Sequence, residues 1–203
     1  MKIKAIASLC KKQKRVHIYN IENRGTIRQF VGDGYACYPI DGMPKVDEKT
    51  ILAIFDVPEN QREKWMVFES QGPQGIDFRD VAEGEEMGDI ETFTLGVDGA
   101  TIKPMNVNGG VLFFDAKYQG PIMDMMDVVE FYRRKAGSGK EYIVAKAGFM
   151  LQAIIFPYRL ARPEFIAKMR DFIDRCQQEV WKEDTRSWAK VDKETGEVEE
   201  AEG

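Results

Sequence analysis

Residues 2–13 place Ile3, Ile6 and Cys10 at helical spacing with Leu9 beside them, which predicts an amphipathic helix carrying Lys4, Ser8, Lys11 and Lys12 on another face. At Arg15 the period changes to two. RVHIYNIENRGTIRQFVGDGYACYPIDG alternates apolar and polar residues and is punctuated by Asn23-Arg24-Gly25 and Gly32-Asp33-Gly34, a meander of three antiparallel strands. Such a sheet can bury one face and leave the other wet. DEKTILAIFDVPENQREKW predicts a short helix stopped or kinked at Pro58, with a strand at Trp65–Glu69 after it.

From Ser70 to about Gly88 the chain is rich in Gly, Asp and Glu with few large apolar side chains, so it is expected to be a long exposed loop. Order returns with strands at Thr92–Leu95 and Thr101–Asn106 and a turn at NVNGG. Tyr118, Ile122, Met125 and Met126 then keep helical spacing; Pro121 removes a donor and clashes with the preceding turn, which starts this helix near Gly120. VVEFYRR, EYIVAKA and FMLQAIIFPYRL read as three more strands, the first two joined by a Gly-Ser turn at 136–140. A helix followed by three strands has thus occurred twice.

Arg162-Pro163-Glu164 is a helix start, with proline in the first turn and an acidic residue where the macrodipole favours it. Phe165, Ile166, Met169, Phe172, Ile173, Cys176 and Val180 make an apolar stripe that must pack on the sheet or on a partner chain. Beyond Trp188 the polar tail reads as disordered. The expected class is α+β: antiparallel sheet in two helix-plus-three-strand halves, about 1–69 and 90–160, with an acidic loop 70–89 between them. A C-terminal helix over 161–188 and an acidic tail over 189–203 complete the chain.

Composition narrows the function classes. With 203 residues, 43% of them hydrophobic, the chain can bury a core without staples. Its three cysteines, Cys10, Cys37 and Cys176, are far apart and suggest buried thiols in a reducing compartment rather than a disulfide framework. The start, MKIKAIASLCKKQKR, has too short an apolar run for a signal peptide and no stretch reaches a membrane span, so a cytoplasmic protein is expected. The net charge of −5 is distributed unevenly. Lys2, Lys4, Lys11, Lys12, Lys14 and Arg15 crowd the start, whereas Asp77, Asp80, Glu83, Glu85, Glu86, Asp89 and Glu91 crowd the middle, as in an acidic protein with one basic face.

Catalytic signatures are absent. The single histidine, His17, sits in an alternating strand without a ligand-spaced neighbour and reads as structural. HExxH, CxxC, GxSxG, GxxxxGK[ST] and GxGxxG patterns do not occur. Gly137-Ser138-Gly139-Lys140 joins two strands and is a hairpin turn rather than a phosphate loop. The acidic run from Asp77 to Glu91 lacks an EF-hand register and reads as solvated. Met123, Met125, Met126, Met150 and Met169 are taken as core. No cofactor and no metal are expected.

GGVLFFDAKYQGPIMDMM, VVEFYRR, EYIVAKA and AIIFPYRL, in this order, resemble the closing half-domain of the bacterial DNA polymerase sliding clamp, and the start with RVHIYNI, TIRQFV and YACYPID is similar to a clamp half-domain. The resemblance implies a non-enzymatic ring or partial ring, a processivity factor whose inner helices face duplex DNA and contact phosphate without sequence preference. By position the DNA-facing residues would be Lys4, Lys11, Lys12, Lys14 and Arg15. It also implies a pocket at Phe156, Pro157, Tyr158, Arg159 and Leu160 that takes a short peptide from a replication protein. This chain departs from the family in its length, which holds one two-half domain, in the acidic Asp115, Asp124 and Asp127 of its second helix, and in its extra C-terminal helix. Another reading is a phage-type assembly protein that forms a homo-oligomer without nucleic acid. A small-molecule site would need convergent polar groups, for which Asp115, Tyr118 and Arg159 are the candidates.

Overall fold

The computed structural model describes residues 3–23, 25–160, 162–187, 190–191 and 198–199. The chain divides between Tyr158 and Arg159 into two compact units.

In the first unit, α1 (Ile3–Gln13) buries Ile6, Ala7 and Cys10. It ends where Lys14 takes a left-handed φ of 49° and turns the chain into β1 (Arg15–Asn23). A turn at Gly25 leads into β2 (Thr26–Gly32), and Asp33 then accepts the Tyr35 and Ala36 N–H groups at 2.9 and 3.1 Å to start β3 (Ala36–Pro39). Gly32 is required at this turn, because an added Cβ would lie 1.7 Å from the Ala36 carbonyl oxygen. Asp47 caps α2 (Glu48–Ile54), accepting from the Thr50 N–H at 2.9 Å. After the single-turn α3 (Glu59–Arg62), β4 (Met66–Ser70) returns parallel to β1.

The second part of the unit comprises β5 (Glu86–Ile90), β6 (Leu95–Val97), β7 (Ala100–Val107) and β8 (Gly110–Asp115), then a 3-10 segment over Ala116–Val128, then β9 (Val129–Lys135), β10 (Glu141–Ala147) and β11 (Met150–Ile155). β1–β11 join one open sheet in the order β4-β1-β2-β3-β11-β10-β9-β5-β7-β6, with β8 pairing β7 off this path. Among the described residues, only β1 and β4 pair parallel. The two meanders meet at β3 and β11, where Cys37 faces Ile154 and Ala36 faces Ile155.

Alternation along the strands supplies two cores. Val16, Ile18, Val31, Tyr38, Ile143, Ala153 and Ile155 point to the face covered by α1, α2 and the 3-10 segment. Tyr19, Phe30, Cys37, Tyr142, Val144, Leu151 and Ile154 point to the other, where Ile76 and Phe78 lie over them. The second face is therefore dry at the centre of the sheet, against the expectation of one wet face. The cause is residues 71–85, which are bound across the sheet rather than forming an open loop, while Glu86–Ile90 is a strand that the acidic composition concealed. The strand expected at Thr92–Leu95 occurs later, at Leu95–Val97.

The second helical segment also differs from expectation. It begins at Ala116, four residues before Gly120, and is 3-10 throughout. Asp115 starts it by accepting the Lys117 N–H at 3.1 Å, and Pro121 is buried within it.

In the second unit, Ile166 donates its N–H to the Arg162 carbonyl at 3.0 Å and α4 runs from Pro163 to Ser187, as the Arg-Pro-Glu start predicts. Cys176 is exposed on it, against the expectation of a buried thiol and unlike Cys10 and Cys37; of the apolar stripe, Ile166, Phe172, Ile173 and Val180 are exposed and Phe165 and Met169 half-buried. Of the tail, Lys190–Val191 (β12) pairs antiparallel with Val198–Glu199 (β13), and the rest of the expected disordered segment lies outside the described residues.

Candidate nucleic-acid interface

With Ile6 and Cys10 turned to the core, Lys4, Ser8 and Lys11 share the outward face of α1 and Lys12 stands beside them, all exposed. Lys14 is exposed at the end of the helix. Arg15 belongs to β1, is half-buried, and donates to the Gln13 side-chain oxygen at 2.8 Å, so it does not join the exposed lysine set. Lys2 lies outside the described residues. The 3-10 segment packs beside α1 and adds the exposed Asp124 and Asp127, so this face carries both signs of charge. Lys117 there is held by Asp115 at 2.8 Å and sits over the Tyr118 ring.

Phe156, Pro157 and Tyr158 continue from β11. The Phe156 N–H donates to the Tyr35 carbonyl at 2.8 Å and the Tyr158 N–H to the Phe113 carbonyl at 2.6 Å. Phe156 packs into the second core, on the face of the sheet away from α1. Arg159 is exposed and Leu160 is buried, and both belong to the second unit. Sequence order thus placed these five residues together, while the structure divides them between a fixed strand extension and the next unit.

Asp115 and Tyr118 are engaged structurally. Tyr118 donates its hydroxyl to the buried Asp33 at 3.1 Å and accepts at its carbonyl from the Tyr38 hydroxyl at 2.8 Å. Burial, followed by the Asp33 charge, pushes the Tyr118 and Tyr38 hydroxyls up, so both remain protonated donors. Burial likewise pushes the Cys10 and Cys37 thiols up and leaves them poor nucleophiles. Burial and then Arg15 lower His17, which stacks on Phe68 with ring centroids 4.7 Å apart and is neutral at physiological pH. Among the described residues, no three His, Cys, Asp or Glu side chains are placed to hold a metal ion, and no helix is long and apolar enough to cross a membrane.

The acidic residues missed as structural elements are the anchors of 71–85. Arg28 grips Asp41 through two nitrogens and pairs with Asp80 at 2.8 Å, while Asp80 also accepts the Leu151 N–H at 2.8 Å. Arg134, 2% exposed, donates to the carbonyls of Asp77, Arg79 and Asp80 and to the Glu85 carboxylate. Lys146, 3% exposed, takes the other Glu85 oxygen at 2.6 Å. Cavities of about 460 and 340 Å³ flank Arg28, one under 71–80 and the other beside Ile40–Lys45. At their rims Arg28 is paired with Asp41 and Asp80, and Arg79 with Asp77; Glu22 also lines the first and Lys45 the second. The signal in the sequence was Arg28, Arg134 and Lys146, cations inside strands of a sheet that needed partners of opposite sign.

Comparison with protein-family models, curated proteins and solved structures gives no match for this chain.

Proposed function

We propose that this protein is a non-catalytic, clamp-like subunit that binds duplex DNA through its phosphates and docks replication proteins through short peptides. The observation that carries the reading is the exposure of Lys4, Lys11 and Lys12 on one helix laid across an α+β sheet unit. Two arrangements support it further. A helical segment precedes three antiparallel strands on each side of the β3–β11 junction, and α1 and the 3-10 segment lie next to each other on the same face. Lysines on a helix supply point charges suited to phosphate and indifferent to base sequence. Asp124 and Asp127 nearby weaken attraction, so binding is expected to be modest and strongly dependent on salt. Phe156 packs half-buried against the second core, so peptide docking at Phe156–Leu160 requires its ring to yield some of that contact.

The test is fluorescence anisotropy on a random-sequence duplex, from 50 to 200 mM salt, with the chain and its Lys4/Lys11/Lys12→Glu variant. Each phosphate contact contributes a slope of about −0.9 in log K against log salt, so the variant should lose roughly 2.7 of slope along with the binding. Affinity unchanged in the variant sinks the reading, as does failure of the wild type to bind at the lowest salt.

A phage-type assembly protein is the second reading. The apolar side chains that α4 leaves exposed favour it, and it predicts that the lysine substitutions change nothing.

A further inference from the structure

We infer that α4 is a dimerisation helix, through which two copies of this chain pair parallel and in register as a short coiled coil. The inference goes beyond either functional reading and stands on α4 alone.

Ile166, Met169, Ile173, Cys176 and Val180 follow one another at alternating steps of three and four residues. That is the a/d repeat, whose mean period of 3.5 keeps a seam facing a partner helix along its length. Position a holds Ile166, Ile173 and Val180, all β-branched, which favour a two-stranded parallel pair; position d holds the unbranched Met169 and Cys176. Four of these five side chains are exposed in the single chain, Ile166 at 40%, Ile173 at 47%, Val180 at 58% and Cys176 with them, while Met169 is half-buried. A lone helix gains little stability from propensity alone, so an uncovered apolar seam of about 21 Å leaves most of the available packing unrealised.

The flanking residues fit a second copy. In a parallel pair, position g of one helix meets position e of the other five residues on, which brings Phe165 to Arg170 and Phe172 to Gln177. An arginine over an aromatic ring is attractive, and neither pair opposes like charges. Glu179, the next g residue, is paired within its own helix with Lys182 at 2.6 Å. On the opposite side, Lys168, Asp171, Asp174, Arg175 and Gln178 stay polar, with Asp171 and Arg175 joined at 2.8 Å. Two ion pairs are thus closed within the helix, and from Phe165 to Gln177 the flanks oppose no like charges across the pair; the last g–e couple, Glu179 with position 184 of the copy, is acidic on both sides, its Glu179 held by Lys182.

The test uses the full chain. At tens of micromolar in reducing buffer, light scattering should give twice the mass of one chain. Ile173→Asp puts a carboxylate in the seam and should return the mass to that of one chain, with the circular dichroism of the sheet unchanged; Val180→Lys, at the far end, should do the same. Cys176 reports direction, because d residues face each other only in a parallel pair, and Cys10 and Cys37 are buried. Diamide, which accepts the two electrons and two protons of two thiols, should convert most of the dimer to a disulfide-linked form. Cys176→Ser should abolish the link and keep the doubled mass. A single-chain mass for the wild type, or a doubled mass that survives Ile173→Asp, overturns the proposal; a dimer that diamide leaves unlinked overturns its parallel register. None of these readouts involves DNA, so they separate from the anisotropy result.

Discussion

Arg134 and Glu85 lie 49 residues apart in sequence and are joined by two hydrogen bonds, from Nε at 2.8 Å and Nη2 at 2.6 Å, both to Glu85 Oε2. The guanidinium reaches three carbonyls of the preceding segment as well, so one side chain from β9 fixes the backbone of 77–80 and the carboxylate of 85 together. No point charge on a flexible stem can reproduce that fork. Arg134→Met should therefore destabilise the first unit by about 3–5 kcal/mol in urea unfolding, because it strands a nearly buried carboxylate with Lys146 alone. Arg134→Lys should recover only part of the loss, and the double change Arg134→Met with Glu85→Leu should be less harmful than Arg134→Met by itself.

Phe78 is the apolar counterpart of that anchor. It is 6% exposed and meets Phe30 edge-on at 4.9 Å and Tyr19 at 5.9 Å. Phe78→Ala should cost about 3 kcal/mol and raise the rate of proteolytic cleavage within 71–85 more than anywhere else in the unit. Cleavage unchanged there would show that the ion pairs hold the segment without the ring.

Acid should release the same segment. Burial raises the Asp80 carboxyl, but the bonds from Arg28 and the Leu151 N–H outweigh it and hold it below the ordinary aspartate value of 3.8. Asp77 is likewise raised by burial and lowered further by Arg79, and Glu85 is raised by burial and brought below 4.5 by Lys146 and Arg134. Each group binds its proton more weakly when folded, so the unfolded chain takes up protons first as pH falls. Their stabilisation is complete above about pH 5 and is lost as pH drops through the carboxylate range toward the depressed folded values. Hydrogen exchange at 76–80 should accelerate relative to the β10–β11 core on going from pH 6 to pH 3, after correction for intrinsic exchange. Equal protection at both pH values would refute the assignment of these carboxylates as anchors.

Two glycines of this stretch separate backbone strain from packing. Gly72 has φ +90°, and an added Cβ would come within 2.8 Å of the Phe78 ring and 3.1 Å of Ile21. Gly84 has φ +72° with nothing within 4 Å. Gly84→Ala should cost about 1–2 kcal/mol from the left-handed backbone alone, and Gly72→Ala should exceed it by a further 1 kcal/mol or so. Thermal unfolding of the two variants side by side gives the comparison.

The elements that were legible in the sequence are those in which local periodicity and burial agree. Ile6 and Cys10 bury as a helical face should, with Ile3 packed half-buried beside them, the alternation of Arg15–Pro39 maps onto β1–β3, and VVEFYRR, EYIVAKA and the run to Ile155 become β9–β11. The second face of the sheet was harder to read, because its cover is a segment of Asp, Glu and Gly whose only large apolar anchors are Ile76 and Phe78. Ion pairing to cations in distant strands leaves no periodic trace. After Asp115 the proline at 121 predicts a late-starting helix; 3-10 geometry accommodates that proline from Ala116 onward. As for the proposed contacts, Lys4, Lys11 and Lys12 were legible as an exposed set, whereas the engagement of Arg15 with Gln13 and of Phe156 with the second core depends on tertiary placement.

The junction of β3 with β11 has a consequence during synthesis. Ala36 and Cys37 pair with Ile155 and Ile154, which leave a ribosome on the order of ten seconds later at ordinary elongation rates. Through that interval β1–β3 carry an unpaired edge, and Tyr19, Phe30 and Cys37 lack Tyr142, Val144 and Leu151 to pack against. Phe78 emerges early enough to cover them provisionally, but Arg134 and Lys146, which lock its segment in place, come later. The nascent amino-terminal half is therefore the stage at which this protein is most exposed to misassociation and most in need of a chaperone.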